Sequence, residues 1–114
     1  PFLKNKIASS SMTVPIPDGS TVDLTIDIKK ETTVEEINNL LKNYSENDLK
    51  NIIGITYDPI VSSDVVRSTF SGLIDGLATM GINNKKIKLI IWFDNGWGYA
   101  ARIIDTIKRL GQEL

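Results

Sequence analysis

The chain has 114 residues, 41% hydrophobic and 24% charged, which is room and composition for one modest folded domain. Lys and Arg number 13 against 14 Asp and Glu, a net charge of -1, so no basic surplus points to nucleic acid or to an anionic membrane surface. Neither Cys nor His occurs. That excludes disulfides, thiolate nucleophiles and Ser-His or Cys-His catalysis within the chain, and it removes the commonest ligands of a transition metal. No metal site is expected, and the lack of cysteine fits a reducing compartment.

The opening Pro1-Phe2-Leu3-Lys4 has no initiator Met and no signal-peptide pattern, so a processed or excised end is expected here. Residues 1–11 are mixed and polar. Residues 12–14 are expected to form a short strand stopped by Pro15 and Pro17, and Asp18-Gly19-Ser20 a turn. Residues 22–29 alternate cleanly, with Val22, Leu24, Ile26 and Ile28 on one face and Asp23, Thr25, Asp27 and Lys29 on the other. This predicts a half-buried strand in an antiparallel sheet. Thr33-Val34-Glu35-Glu36 is a capping box opening a helix to about Asn43, with Val34, Ile37, Leu40, Leu41 and Tyr44 as its apolar stripe. Capping explains Glu35 and Glu36 better than paired-carboxylate catalysis does.

Residues 52–56 read as a buried strand ended by Tyr57-Asp58-Pro59, and Ser62-Ser63-Asp64 as a loop or helical turn. Residues 68–74 and 77–82 flank Asp75-Gly76, which predicts a hairpin. Asn83-Asn84-Lys85-Lys86 is a further turn. Residues 87–93 then carry apolar side chains on both faces, with Ile87, Leu89, Ile91 and Phe93 against Ile90 and Trp92. A central strand covered on both sides follows. The last helix is expected to bury Trp97, Ala101, Ile104, Ile107 and Leu110, to turn Arg102, Asp105 and Arg109 outward with Arg102 and Asp105 paired, and to end at Gly111. The fold class is α+β: a mostly antiparallel β-sheet with two α-helices packed on one face. There is no internal repeat or linker, and the longest apolar run, residues 89–93, is too short to span a bilayer.

Chemistry concentrates in residues 90–102, Ile-Ile-Trp-Phe-Asp-Asn-Gly-Trp-Gly-Tyr-Ala-Ala-Arg, where a strand runs through a tight polar turn into a helix. Two Trp, one Phe and one Tyr fall between positions 92 and 99 of a chain that is only 7% aromatic. Such a turn at the carboxyl end of a strand could receive a planar ligand, or the aromatics could be core. Gly96-x-Gly98 lacks the third glycine of a phosphate loop and encloses a bulky Trp97, so packing explains both glycines better. Either Asp94 or Asn95 can cap the helix. An Asn amide both donates and accepts, which would let Asn95 read the carboxamide of a planar cofactor.

The run Trp92-Phe93-Asp94-Asn95-Gly96-Trp97-Gly98-Tyr99, with Arg102 and Asp105, resembles the W-Y-D-N-E-W-G-Y-S-N-R-x-x-D pattern near the end of the glyceraldehyde-3-phosphate dehydrogenase family. The run from Val14 to Leu24 (V-P-I-P-D-G-S-T-V-D-L), Thr33-Val34-Glu35-Glu36-Ile37-Asn38, and Gly54, Tyr57-Asp58-Pro59 and Val61-Ser62-Ser63-Asp64 are similar to that family in the same order. The likeness extends over essentially the whole chain.

It implies the last third of an NAD-dependent, phosphorylating aldehyde dehydrogenase of glycolysis, cytoplasmic, with the dinucleotide-binding domain, the catalytic Cys and the catalytic His upstream. The segment would be inactive by itself. It would serve with the remainder of the dehydrogenase or like subunits, as a homo-oligomer through the sheet, acting on a small phosphorylated aldehyde and on neither nucleic acid nor membrane. Asn95 matches the family residue that binds the nicotinamide carboxamide of NAD, and Tyr99 the tyrosine beside the nicotinamide. Thr13 stands where the family has a phosphate-binding Arg, and a hydroxyl lacks that residue's charge and bidentate fork. Phe93 replaces Tyr, Gly96 replaces Glu, and Phe70 falls where many members have His. The alternative is a non-enzymatic detached domain or paralogue serving assembly or protein interaction.

Overall fold

The computed structural model describes residues 3–112; the reading of the chain's first residues, Pro1-Phe2, lies outside them. The elements in order are β1 (Ser20–Asp27), α1 (Val34–Glu46), β2 (Ile53–Thr56), a 3-10 turn (Ser62–Val65), β3 (Gly72–Asp75), β4 (Met80–Asn83), β5 (Lys86–Phe93) and α2 (Asn95–Gln112). The architecture is α+β, a five-stranded sheet with two helices. It is antiparallel throughout apart from the parallel pair β2–β3.

β5 organises the sheet. One edge pairs with β1 over eight positions, from Ser20 opposite Phe93 to Asp27 opposite Lys86. β3 and β4 share its other edge end to end, Leu73 and Ile74 opposite Trp92 and Ile91, and Met80 and Gly81 opposite Lys88 and Ile87. The expected central strand is therefore present. The expected hairpin across Asp75-Gly76 is not, because its two arms pair with β5 rather than with each other. The link between them is an Asx turn in which the Asp75 carboxylate accepts from the amides of Leu77 and Ala78 and the Thr79 hydroxyl donates to the Asp75 carbonyl. The real hairpin is β4–β5, closed by Asn84-Lys85, with the Lys85 amide donating to the Asn83 side chain. Residues 12–14 form no strand and lie exposed, outside the sheet. β1 lies two residues upstream of its expected span.

Register places Val22, Leu24 and Ile26 on the same face as Ile91, Leu89 and Ile87. Helix α1 covers part of this face: Val34 reaches Gly81 beside Ile87, and the Asn38 amide donates to the Gly76 carbonyl at 3.0 Å. The capping box is formed as read, with the Glu36 amide on the Thr33 hydroxyl and the Thr33 amide on the Glu36 carboxylate. The helix runs one turn past Asn43, and Leu40 and Tyr44 of its expected stripe stay half exposed. The buried apolar core is small, with Ile74, Ile87 and Leu89 on the sheet and Val65 on the 3-10 turn. Val22 and Leu24 alternate correctly but stay 41% and 36% exposed.

Candidate functional site: the β5–α2 turn

The turn is built around Asp94, 2% exposed. Its Oδ1 accepts from the amides of Gly96 (2.9 Å) and Trp97 (2.8 Å), and its Oδ2 from the amide of Arg67 (2.7 Å). Asp94 is thus the N-cap of α2, satisfying amides that the first turn leaves without carbonyl partners. It also pins the loop after the 3-10 turn, where Arg67 sits at a left-handed φ of 65°. The backbone amides of Trp97 and Arg67, with that of Gly96, hold its carboxyl below the ordinary Asp range against the opposing effect of burial.

Because Asp94 does the capping, the side chain of Asn95 is left to solvent and makes no hydrogen bond among the described residues. Tyr99, 70% exposed, lies four residues on and therefore on the same side of the helix. The structure brings these two expected site residues together at the start of α2. Thr13 is not with them. It is exposed on the N-terminal segment outside any regular element. Among the described residues, a cleft of about 440 Å³ opens between the end of β1 and α1 and another is bounded by β2 and Phe70; neither is lined by Asn95, Tyr99 or Thr13. Among the described residues no acidic cluster could hold a metal and no helix is long and apolar enough to cross a membrane.

Helix α2 reverses the expected orientation. Its buried residue is Gly98, where an added Cβ would stand 2.8 Å from the Phe70 carbonyl oxygen. Arg102, one turn later, does not point outward. It donates to the Ser71 hydroxyl and the Asn51 carbonyl, both at 3.1 Å, while keeping the expected pair with Asp105 at 2.8 Å. The apolar stripe is consequently turned away. Trp97, Ile104, Ile107 and Leu110 are 51–62% exposed. The helix continues through Gly111 to Gln112 instead of ending at Gly111. Gly98 is a packing glycine, as read. Gly96 is not, since its added Cβ would meet only the Asp94 side chain at an ordinary 3.5 Å and its φ is not positive. Sequence reasoning missed Asp94 as the hub and Asn38 as a buried tie. The first was half visible as a cap, and the second was hidden on an apolar stripe.

Strand β5 therefore ends in a carboxylate-capped helix whose first turn presents an amide, Asn95, and a phenol, Tyr99, to solvent. Comparison with known proteins defines the class. The model of the glyceraldehyde 3-phosphate dehydrogenase C-terminal domain matches residues 1–95, and the chain belongs to that family. It is 47% identical over 112 residues to glyceraldehyde-3-phosphate dehydrogenase of Borreliella burgdorferi, covering 96% of this chain and 33% of that protein. It is 45% identical over 105 residues to the Geobacillus stearothermophilus enzyme of the same name (92% of this chain, 31% of that protein). With glyceraldehyde-3-phosphate dehydrogenase 2 of Bacillus subtilis it shares 35% identity over 114 residues, all of this chain and 34% of that protein. The chain spans about a third of the length of the curated relatives it matches.

Proposed function

We propose that the chain is the C-terminal part of the catalytic domain of an NAD-dependent, phosphorylating glyceraldehyde-3-phosphate dehydrogenase of cytoplasmic glycolysis, and that it works only together with the remainder of that enzyme. The observation that carries this is the orientation of α2. A helix that is anchored through Gly98 and Arg102 and turns Trp97, Ile104 and Ile107 to solvent is built to be covered by something outside these residues. A domain lying on that side would face the first turn of α2, where Asn95 and Tyr99 stand.

The donor set at the turn fits the nicotinamide end of NAD. The Asn95 amide matches a carboxamide donor for acceptor, and Tyr99 offers a ring edge and a hydroxyl beside it. NAD, when bound, supplies the hydride acceptor. Asp94 holds the backbone of the turn so that Asn95 meets the cofactor without reorganising. Thr13, in place of a phosphate-binding Arg, contributes one hydrogen bond and no charge. With neither Cys nor His, the chain contains no nucleophile-base pair for aldehyde oxidation and is inactive by itself.

Two measurements test this. The purified 114-residue chain is assayed for NADH formation with glyceraldehyde 3-phosphate, NAD and phosphate; turnover would sink the claim of inactivity. In the enzyme completed with its upstream two thirds, Asn95→Ala is expected to raise KM for NAD about tenfold while Tyr99→Phe changes it less. An unchanged KM for NAD in Asn95→Ala would remove Asn95 from the cofactor site.

A further inference from the structure

Asn95-Gly96 is the one Asn-Gly dipeptide in the sequence, and nothing in the fold asks for its glycine. An added Cβ at Gly96 has room, and the backbone there does not need the left-handed region. Glycine in a helix is otherwise a cost. Its distinctive consequence here is chemical: without a Cβ, the Gly96 nitrogen has a clear approach to the side-chain carbonyl carbon of Asn95. We infer that Asn95 is a site of spontaneous deamidation, through which the exposed first turn of α2 ages from a neutral amide to a carboxylate.

The step balances with water alone. The Gly96 nitrogen loses its proton and bonds to Cγ of Asn95; the bond from Cγ to the side-chain nitrogen breaks and ammonia leaves, closing a succinimide. Water adds to either of the two ring carbonyls and opens the ring to aspartate or isoaspartate. Asn95 is exposed, and its side chain has no hydrogen-bond partner among the described residues to hold it back. The Gly96 amide lies in the first helical turn, outside the carbonyl ladder, and is held by Asp94 Oδ1 at 2.9 Å. Ring closure needs this cap bond to open and Asn95 to leave its helical ψ, a release confined to the first turn of α2 because Asn95 is the helix's first residue. The aspartate product adds a negative charge at the helix N-terminus, where it is favoured. The isoaspartate product inserts an extra backbone carbon and breaks the cap.

Conversion also removes both side-chain N–H donors from position 95. Loss of the nicotinamide contact as a result rests on the role of Asn95 proposed above, whereas the deamidation itself does not. Incubating the folded 114-residue chain at mildly alkaline pH and digesting it with trypsin isolates residues 89–102 in one peptide and Asn83-Asn84 in another, residues 68–85. The expected result is the mass gain of amide-to-acid conversion, with isoaspartate, in the first peptide well ahead of the second. Gly96→Ala should slow it about tenfold or more by blocking the approach, and Asp94→Ala should speed it severalfold by freeing the Gly96 amide. Equal rates in the two peptides, or a Gly96→Ala chain that converts as fast as the parent, would overturn the inference. Measuring NAD affinity of the completed enzyme before and after conversion separates the two claims. Conversion with unchanged affinity leaves the deamidation standing and fails only the cofactor role.

Discussion

Single residues set the geometry of the β5–α2 turn. Asp94 joins three backbone amides from two segments that are 27 residues apart at Arg67. Its folded pKa is lowered, so the stability it contributes is complete above the ordinary Asp range and is lost as pH falls through the lowered folded value. Glu36 behaves in the same direction, through the Thr32 hydroxyl first and the Thr33 amide second. Asp94→Asn is expected to lower the urea midpoint at neutral pH and to flatten the acid limb of a midpoint-against-pH curve. A variant with the parent's acid limb would show that Asp94 does not couple to folding. Gly98 makes the complementary steric case: Gly98→Ala places a methyl 2.8 Å from the Phe70 carbonyl oxygen. It should cost about 1–3 kcal/mol by chemical denaturation, since the obstacle is backbone and cannot swing aside.

At the scale of elements, patterns local to one segment were legible and patterns set by partners were not. The capping box, the central β5 and the alternating, antiparallel strand β1 follow from residue chemistry that acts within a few positions, whereas the pairing of β1 with β5 does not. The Asp75-Gly76 hairpin failed because a carboxylate that could close a two-residue turn instead builds a longer Asx turn, letting β3 and β4 line up along one edge of β5. The α2 stripe has the right period and faces the wrong way for a self-contained domain, because Gly98 and Arg102 take the inner side. Of the candidate site, Asn95 and Tyr99 were named through the family resemblance, and their spacing of four puts them on one side of α2. The burial of Asp94 was not legible, since its third donor comes from a distant loop. Asn38 shows the same limit. Buried and donating to Gly76, it ties α1 to the end of β3, and Asn38→Ala is expected to cost about 1–3 kcal/mol by urea titration because it strands that carbonyl.

For the whole molecule, dimensions and surface both depart from those of a compact domain. The radius of gyration is 15.6 Å, against about 13 Å for a compact domain of this length. The excess comes from an exposed N-terminal segment and from a helix anchored mainly by its first turns. Apolar surface is distributed accordingly. Leu3, Ile7 and Met12 are exposed on the segment, Val22 and Leu24 on the sheet, and the α2 stripe on the helix. Monomers rarely leave this much apolar surface in contact with water. On the sheet, the Asp23–Lys88 and Asp27–Lys86 ion pairs keep the β1 side polar on one face, so the apolar drive lies with Val22 and Leu24 and with α2. The chain alone should therefore self-associate with rising concentration. Replacing Ile104 and Ile107 with Glu should shift sedimentation velocity profiles toward monomer, and Lys42→Glu on α1, which changes charge but no apolar surface, should not. A parent chain that sediments as a strict monomer at high concentration would mean that its apolar faces are satisfied within the single chain. In that case the orientation of α2 would no longer argue for a missing partner domain.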